Sequence, residues 1–336
     1  MKYTESLETS AQYKQSYADG IDSLIQRLEM QSREKRTEYI ADILQNKDRY
    51  RQDFVKMLGW PLTERGGEDI PRAVSQRLSQ EEGYDIYRLQ IEVTDGLMLT
   101  GLLFKYTDGV NRPLVVVQHG GSGTPELISG INGSTANYNN MLRRVFDRGV
   151  NVFAPQLLLW SAEKYKVDYD RQKTDARLRR LGGSITALEV YGIIRALDYL
   201  TTLPEVGKIG MVGMSYGGFY TMMTAAADVR IQAALTCSYF CDGSLFTQTD
   251  LCHYNEGKYF GQAETACLVH PRKLFIQMGD SDELFDFKKS EEEFLRIKEL
   301  IKSDCGWVEF SVYGGNHEFC KDDTYIQKLT DYLYEG

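Results

Sequence analysis

The residues best suited to do chemistry in this chain lie in the segment Lys208 to Gly218, which reads Lys-Ile-Gly-Met-Val-Gly-Met-Ser-Tyr-Gly-Gly. It contains Gly-x-Ser-x-Gly, with Ser215 between Gly213 and Gly217. On its own that pattern is common. Here an apolar, strand-like run leads straight in and a helix-patterned stretch leads straight out, which puts the serine on a sharp strand-to-helix turn. Glycines on either side remove side chains that would collide across such a turn. The hydroxyl then stands above the strand ends at a helix N-terminus. A serine hydroxyl is a weak nucleophile and needs a base, usually a histidine oriented by a carboxylate.

The chain has four histidines, at 119, 253, 270 and 317. His317, in Gly314-Gly-Asn-His-Glu-Phe, directly follows the last expected strand, at the edge where parallel sheets place their chemistry, and is the expected base. His270 precedes a strand, on the opposite edge. His253 falls in an irregular stretch, and His119 belongs to a glycine-rich segment ahead of the serine. For the acid, the strand Lys273 to Met278 opens into Gly279-Asp-Ser-Asp-Glu. Asp282 is the expected partner of His317, far enough past the strand to turn back; Asp280 is the alternative and could instead hold the turn.

A tetrahedral intermediate needs two donors for its oxyanion. Backbone N–H groups of Tyr216, after the serine, and of Gly120 or Gly121, in His119-Gly-Gly-Ser-Gly, are the expected ones. A phosphate cradle is the competing reading of that glycine-rich loop, but neither Gly-Lys-Ser/Thr nor Gly-x-Gly-x-x-Gly is present. Cys237, Cys241, Cys252, His253, Cys267 and His270 have spacings too irregular for a zinc site, so no metal and no cofactor are expected.

These residues need a scaffold. Tyr84 to Val93 alternates apolar and polar, and Asp95-Gly96 joins it to Leu97 to Lys105, a hairpin signal. Strand-like runs follow at Pro113 to Val117, Val150 to Ala154, Lys208 to Val212, Ile231 to Thr236, Lys273 to Met278 and Trp307 to Val312. Several are continuously apolar, as in strands buried on both faces. Helix-patterned stretches alternate with them at 136–148, 184–203, 218–228, 288–301 and 324–334. The expectation is an α/β fold with a mostly parallel central sheet flanked by helices.

Ahead of it, residues 1 to about 58 read as amphipathic helices, with Ile21, Leu24, Ile25 and Leu28 on one face, ending at Gly59-Trp60-Pro61. The organisation is thus a helical N-terminal extension and linker over 1–83 and a catalytic domain over 84–336, with 239–270 a small cap insertion. The extension should bury its apolar stripe on the domain or on a second subunit, so a homo-oligomer is an open expectation.

The 336 residues are 42% hydrophobic and 26% charged, and 39 basic against 48 acidic side chains leave a net charge of −9. That balance argues against disorder and against a nucleic acid or anionic membrane as partner. The first residues lack an apolar signal core, and the six cysteines do not make a disulfide scaffold. Reduced thiols and a cytoplasmic location are expected.

With these residues in place the chain resembles the α/β-hydrolase superfamily through His119-Gly-Gly, Gly213-Met-Ser-Tyr-Gly-Gly, Gly279-Asp-Ser-Asp and Gly315-Asn-His, over residues 84 to 336. Within it the helix 184–203 and the N-terminal extension are similar to the dienelactone hydrolase and acetyl xylan esterase-like group. The resemblance implies an α/β-hydrolase fold and a serine hydrolase that cleaves a small-molecule carboxylic ester, acetyl or another short acyl, through an acyl-enzyme. Ser215-Tyr-Gly-Gly-Phe-Tyr is also similar to the prolyl oligopeptidase family, which carries a β-propeller that the first 83 residues cannot form. A peptidase without a propeller is one alternative, and a non-catalytic binding protein on a hydrolase fold is the other. Trp160 and Arg177, the latter in a basic cluster with Arg171, Lys173, Arg179 and Arg180, are candidates for substrate contact; pocket wall competes with core for the first, and an anion site with a solvated face for the second.

Overall fold

A computed structural model describes residues 2–64, 69–159, 167–243, 246–302 and 306–335. Nine strands form one sheet: β1 (Ala73–Gln80), β2 (Tyr84–Thr94), β3 (Leu97–Tyr106), β4 (Arg112–Gln118), β5 (Asn151–Pro155), β6 (Val206–Met214), β7 (Ile231–Cys237), β8 (Lys273–Gly279) and β9 (Val308–Tyr313). Their spatial order is β1-β2-β3-β5-β4-β6-β7-β8-β9. β1 to β3 pair antiparallel, β3 meets β5 antiparallel, and every later pair is parallel. The β2–β3 hairpin turns on Asp95 and Gly96, whose φ angles of 44° and 80° match the twist of the strands they join.

The helices are α1 (Leu7–Tyr39), α2 (Lys47–Leu58), α3 (Pro125–Ser129), α4 (Met141–Phe146), α5 (Arg171–Arg179), α6 (Ile185–Leu200), α7 (Tyr216–Ala227), α8 (Glu256–Tyr259), α9 (Gln262–Cys267), α10 (Phe287–Ile301) and α11 (Thr324–Glu335). They cover both faces of the sheet. Along β4, Leu114 and Val116 enter one core with α2, α6 and α7, while Val115 and Val117 enter the other with α4 and α11. This two-residue period with both faces apolar is why the central strands read as unbroken hydrophobic runs. Chain order reverses direction across the sheet at β4, with β5 on one side and β6 on the other. A crevice therefore opens at the carboxyl ends of β4 and β6, the usual place for a site in such a sheet.

Two features depart from the sequence reading. The sheet starts with β1 at Ala73, ahead of the expected boundary at 84; most of β1 is solvent-facing, so its burial pattern is faint in the sequence. The extension is one 33-residue helix followed by α2, and its halves behave differently. Ile40, Ile43, Tyr50, Phe54 and Leu58 are buried in the main core. In contrast Ile21, Leu24, Ile25 and Leu28 remain 41–49% exposed, because α1 meets the body only near its C-terminal end. There Tyr39 packs on Tyr259 with ring centroids 4.8 Å apart, and Arg36 Nε lies 3.0 Å from the buried Glu264 carboxylate, which Arg296 also engages. No described helix is long and apolar enough to cross a membrane.

Burial also sets charge states around this contact. Desolvation pushes the Glu293 carboxyl up to about 7, with the neighbouring Glu264 and Asp242 adding to the effect. The folded state then holds a proton that the unfolded chain releases near 4.5, so this group's stabilisation is present below pH 4.5 and is lost as pH rises towards 7. Replacing Glu293 with Gln removes that loss. The stability of Glu293→Gln relative to wild type should rise by on the order of 3 kcal/mol between pH 4.5 and 7, read from denaturant melts. A separate test concerns the extension. Deleting residues 1–20 should leave the melting temperature nearly unchanged, whereas deleting 1–58 strips five side chains from the core and should yield insoluble protein.

Candidate active site

Ser215 sits between β6 and α7 with φ 58° and ψ −126°, a conformation that costs a non-glycine residue on the order of 1–3 kcal/mol. The surroundings hold it there. Its N–H donates to the Cys237 carbonyl at 2.9 Å, and its carbonyl accepts from Phe219 N–H at 3.0 Å. A Cβ on Gly213 would overlap the Gly217 carbonyl, and one on Gly217 would overlap the Gln118 carbonyl. Both glycines are therefore demanded by backbone-to-backbone contact. The serine is 8% exposed at the floor of the crevice.

His317 follows β9. Its Nδ1 lies 2.9 Å from Asp282 Oδ2. The Asp282 carboxylate is fully buried, and its other oxygen accepts from the N–H groups of Leu284 at 2.9 Å and Phe285 at 3.1 Å. Asp280 is exposed and does a different job, accepting from Gly315 N–H at 3.1 Å and so tying the β8 loop to the β9 loop. A carboxylate that accepts the Nδ1 proton of His317 leaves Nε2 as the acceptor nitrogen. Phe285 bridges the two halves of the site, because its ring stacks on His317 with centroids 5.6 Å apart and also lines the pocket beside Ser215. No hydrogen bond joins the Ser215 and His317 side chains in this structure; such contacts commonly tighten only when substrate is bound.

The histidine loop is anchored from the other side of the crevice. Asn137 Nδ2 donates to the His317 carbonyl at 3.0 Å, Phe319 N–H donates to the Asn137 carbonyl at 2.8 Å, and Asn139 Nδ2 donates to Glu318 Oε2 at 2.8 Å. None of these asparagines announces itself in the sequence, since an amide side chain in a loop carries no periodic signal.

The glycine-rich loop after β4 passes close to Ser215: a Cβ on Gly120 would stand 3.1 Å from the serine Cβ. The expectation that Gly120 N–H is an oxyanion donor needs correction, because that N–H is spent on the Tyr138 hydroxyl at 2.8 Å. Among the described residues Gly121 N–H has no acceptor within the chain. Tyr216 opens α7, where helix amides point out of the ladder. His119 is buried and held neutral, its ring pushed down to about 4 by desolvation. It donates from Nδ1 to the Gly120 carbonyl at 2.9 Å and accepts Leu157 N–H on Nε2 at 3.1 Å. It therefore locks the loop after β4 to the chain after β5.

Of the basic cluster only Arg171 is buried; Arg179 is half-buried, and Lys173, Arg177 and Arg180 are exposed. Arg171 is 3% exposed and sits 2.6 Å from Asp250 and 2.9 Å from Glu189, with further bonds to the Tyr220 hydroxyl and the Leu158 carbonyl. Its guanidinium lies 5.7 Å from the centre of the Tyr216 ring. Burial pulls the Asp250 carboxyl up, but the adjacent Arg171 outweighs it and holds Asp250 below the usual range. Arg179 pairs with Asp175 at 2.6 Å. Arg177 is exposed on α5 and does not line the pocket beside Ser215, so its candidacy for substrate contact is not met by the geometry. Trp160 lies outside the described residues. The pocket itself holds about 200 Å³ and is walled by side chains that follow β6, β7 and β8. Larger clefts against α1 and α2 contain neither Ser215 nor His317.

The sequence profile of the dienelactone hydrolase family matches residues 125–330, a span that includes Ser215, Asp282 and His317. YtaP of Bacillus subtilis (strain 168), described as a hydrolase, is 28% identical over 113 residues, 31% of this chain and 38% of its own length. The matched part thus spans well under half of that relative. Two solved structures share the fold. One is described as an acetyl xylan esterase from Bacteroides fragilis NCTC 9343, with TM-score 0.64, 15% identity, and coverage of 84% of this chain and 82% of the other. A glucuronoyl esterase from Solibacter usitatus gives TM-score 0.63 at 12% identity, covering 87% and 93%.

Arg171 is the test of the internal network. Arg171→Met leaves Asp250 and Glu189 buried without their partner, which should cost on the order of 3–5 kcal/mol in a denaturant melt at pH 7.

Proposed function

Because this chain belongs to the dienelactone hydrolase family, we propose that it is a carboxylic ester hydrolase working through a Ser215–His317–Asp282 triad and an acyl-enzyme. The observation that carries the reading is the 2.9 Å hydrogen bond from His317 Nδ1 to a buried Asp282 carboxylate, at the same sheet edge as a strained Ser215. In this reading His317 Nε2 takes the Ser215 proton as Oγ attacks the ester carbonyl. Asp282 fixes the ring orientation and stabilises the imidazolium that forms. The backbone N–H groups of Tyr216 and Gly121 receive the developing oxyanion. His317 then returns the proton to the departing alcohol, leaving the acyl group on Ser215. Water attacks that ester with His317 again as base, and the acid is released.

Named activities of the structural neighbours support an ester as the bond cleaved. Among the described residues, none that lines the pocket beside Ser215 offers the carboxylate that would hold a peptide amino terminus.

The experiment is labelling and turnover. Wild type should react with a fluorophosphonate probe and hydrolyse nitrophenyl esters. Ser215→Ala should lose both, with turnover down on the order of a thousandfold or more, and Asp282→Asn should lose turnover to a similar order while keeping the nucleophile. Wild-type labelling by the alanine variant would remove Ser215 from its role.

A further inference from the structure

Resting on the ester-hydrolase reading, we infer that the pocket beside Ser215 is an acyl pocket built for an apolar group the size of an aromatic ring or a chain of four to six carbons, rather than for acetyl. Three observations carry this.

The first is space. With an ester carbonyl at Ser215, acetyl sends only a methyl into the pocket. The pocket holds about 200 Å³. A water-sized group fills about 30 Å³, and a cavity of about 150 Å³ lined by Leu, Ile and Phe is known to take benzene. A methyl would leave most of the pocket to water.

The second is the wall. Phe219, Tyr239, Phe246 and Phe285 form one connected set of rings. Phe219 meets Tyr239 edge-on at 5.4 Å, Tyr239 stacks with Phe246 at 5.8 Å, and Phe285 meets both at 6.0 Å. Leu251 and Leu284 complete the apolar lining. Two of the polar atoms in the wall are already engaged. The Tyr239 hydroxyl accepts from Gln262 Nε2 at 2.7 Å, and Gln248 Oε1 accepts from Thr247 N–H at 3.3 Å. Such a surface rewards apolar contact and offers a sugar or a charged group little.

The third is direction. His317 must hand its proton to the leaving oxygen, yet it is not part of the pocket wall; it stacks on Phe285, which is. The group seated in the pocket is therefore the one that stays on Ser215, and the alcohol departs past His317.

The test uses the full chain and one leaving group. Rates are measured on nitrophenyl acetate, butyrate, hexanoate and phenylacetate, together with fluorophosphonate labelling. Burial of each added methylene predicts a rise in kcat/KM of about fourfold until the pocket is full. Hexanoate and phenylacetate should exceed acetate by at least tenfold. Leu251→Phe narrows the pocket, and its hexanoate-to-acetate ratio should fall at least tenfold; a ratio taken within one preparation is insensitive to how much of the variant folds. A labelled enzyme that prefers acetate, or an unchanged ratio in Leu251→Phe, overturns the inference and leaves the ester-hydrolase reading standing. A chain that neither labels nor turns over any member overturns that reading instead.

Discussion

Everything at this site depends on backbone packed directly against backbone at the end of β6. Ser215 is held in a conformation that a residue with a side chain avoids, and it is held because the segments around it come too close to admit a Cβ. Gly213 lies against the Gly217 carbonyl, Gly217 against the Gln118 carbonyl, and Gly120 against the serine itself. Strain at Ser215 is thus balanced by packing that spans β4, β6 and α7. The geometry puts the hydroxyl at the sheet edge and the first amides of α7 beside it, so one constraint places both the Ser215 hydroxyl and those amides.

Around that fixed point the remaining groups arrive on loops, and each loop is tied to another. The β8 loop carries Asp282 and is joined to the β9 loop through Asp280 and Gly315. The β9 loop carries His317 and is joined to residues 137–139 across the crevice. The β4 loop is fixed by Tyr138 on one side and by neutral His119 on the other. Buried Arg171 ties the chain after β5 and the 249–253 stretch to α6 and α7, against the ring of Tyr216. Loops without such ties would place a histidine an ångström or more from its partner, enough to cost orders of magnitude in rate.

The segment after β7 does two jobs. Tyr239, Phe246 and Leu251 form the apolar wall beside Ser215, while α8 and α9 behind them receive the C-terminal end of α1. The apolar wall beside Ser215 and the attachment of the N-terminal helix therefore share one piece of chain. The exposed face of α1 from Ile21 to Leu28 continues beyond that attachment.

The sequence alone determined the parts of this protein governed by local rules. Alternating and continuous apolar runs specify strands and helices, Asp95-Gly96 specifies the hairpin, and Gly213-Met-Ser-Tyr-Gly specifies the turn, because each depends on steric preferences within a few residues. Position after a strand was enough to pair His317 with Asp282, the hydrogen bond present in the structure, ahead of Asp280, which binds Gly315 N–H instead. The rest depends on groups far apart in the chain. That Gly120 N–H is consumed by Tyr138, that Arg171 is an internal counter-ion rather than a surface charge, and that Arg177 is exposed and outside the pocket lining are decided by hydrogen bonds and burial between segments far apart in the chain. β1 escaped notice because a solvent-facing edge strand has weak alternation, and the apolar stripe of α1 misled because amphipathicity states that a face can be buried, not that this chain buries it. Pocket size and shape are likewise tertiary quantities: they arise where side chains from three loops meet, and no local pattern encodes the distance between them.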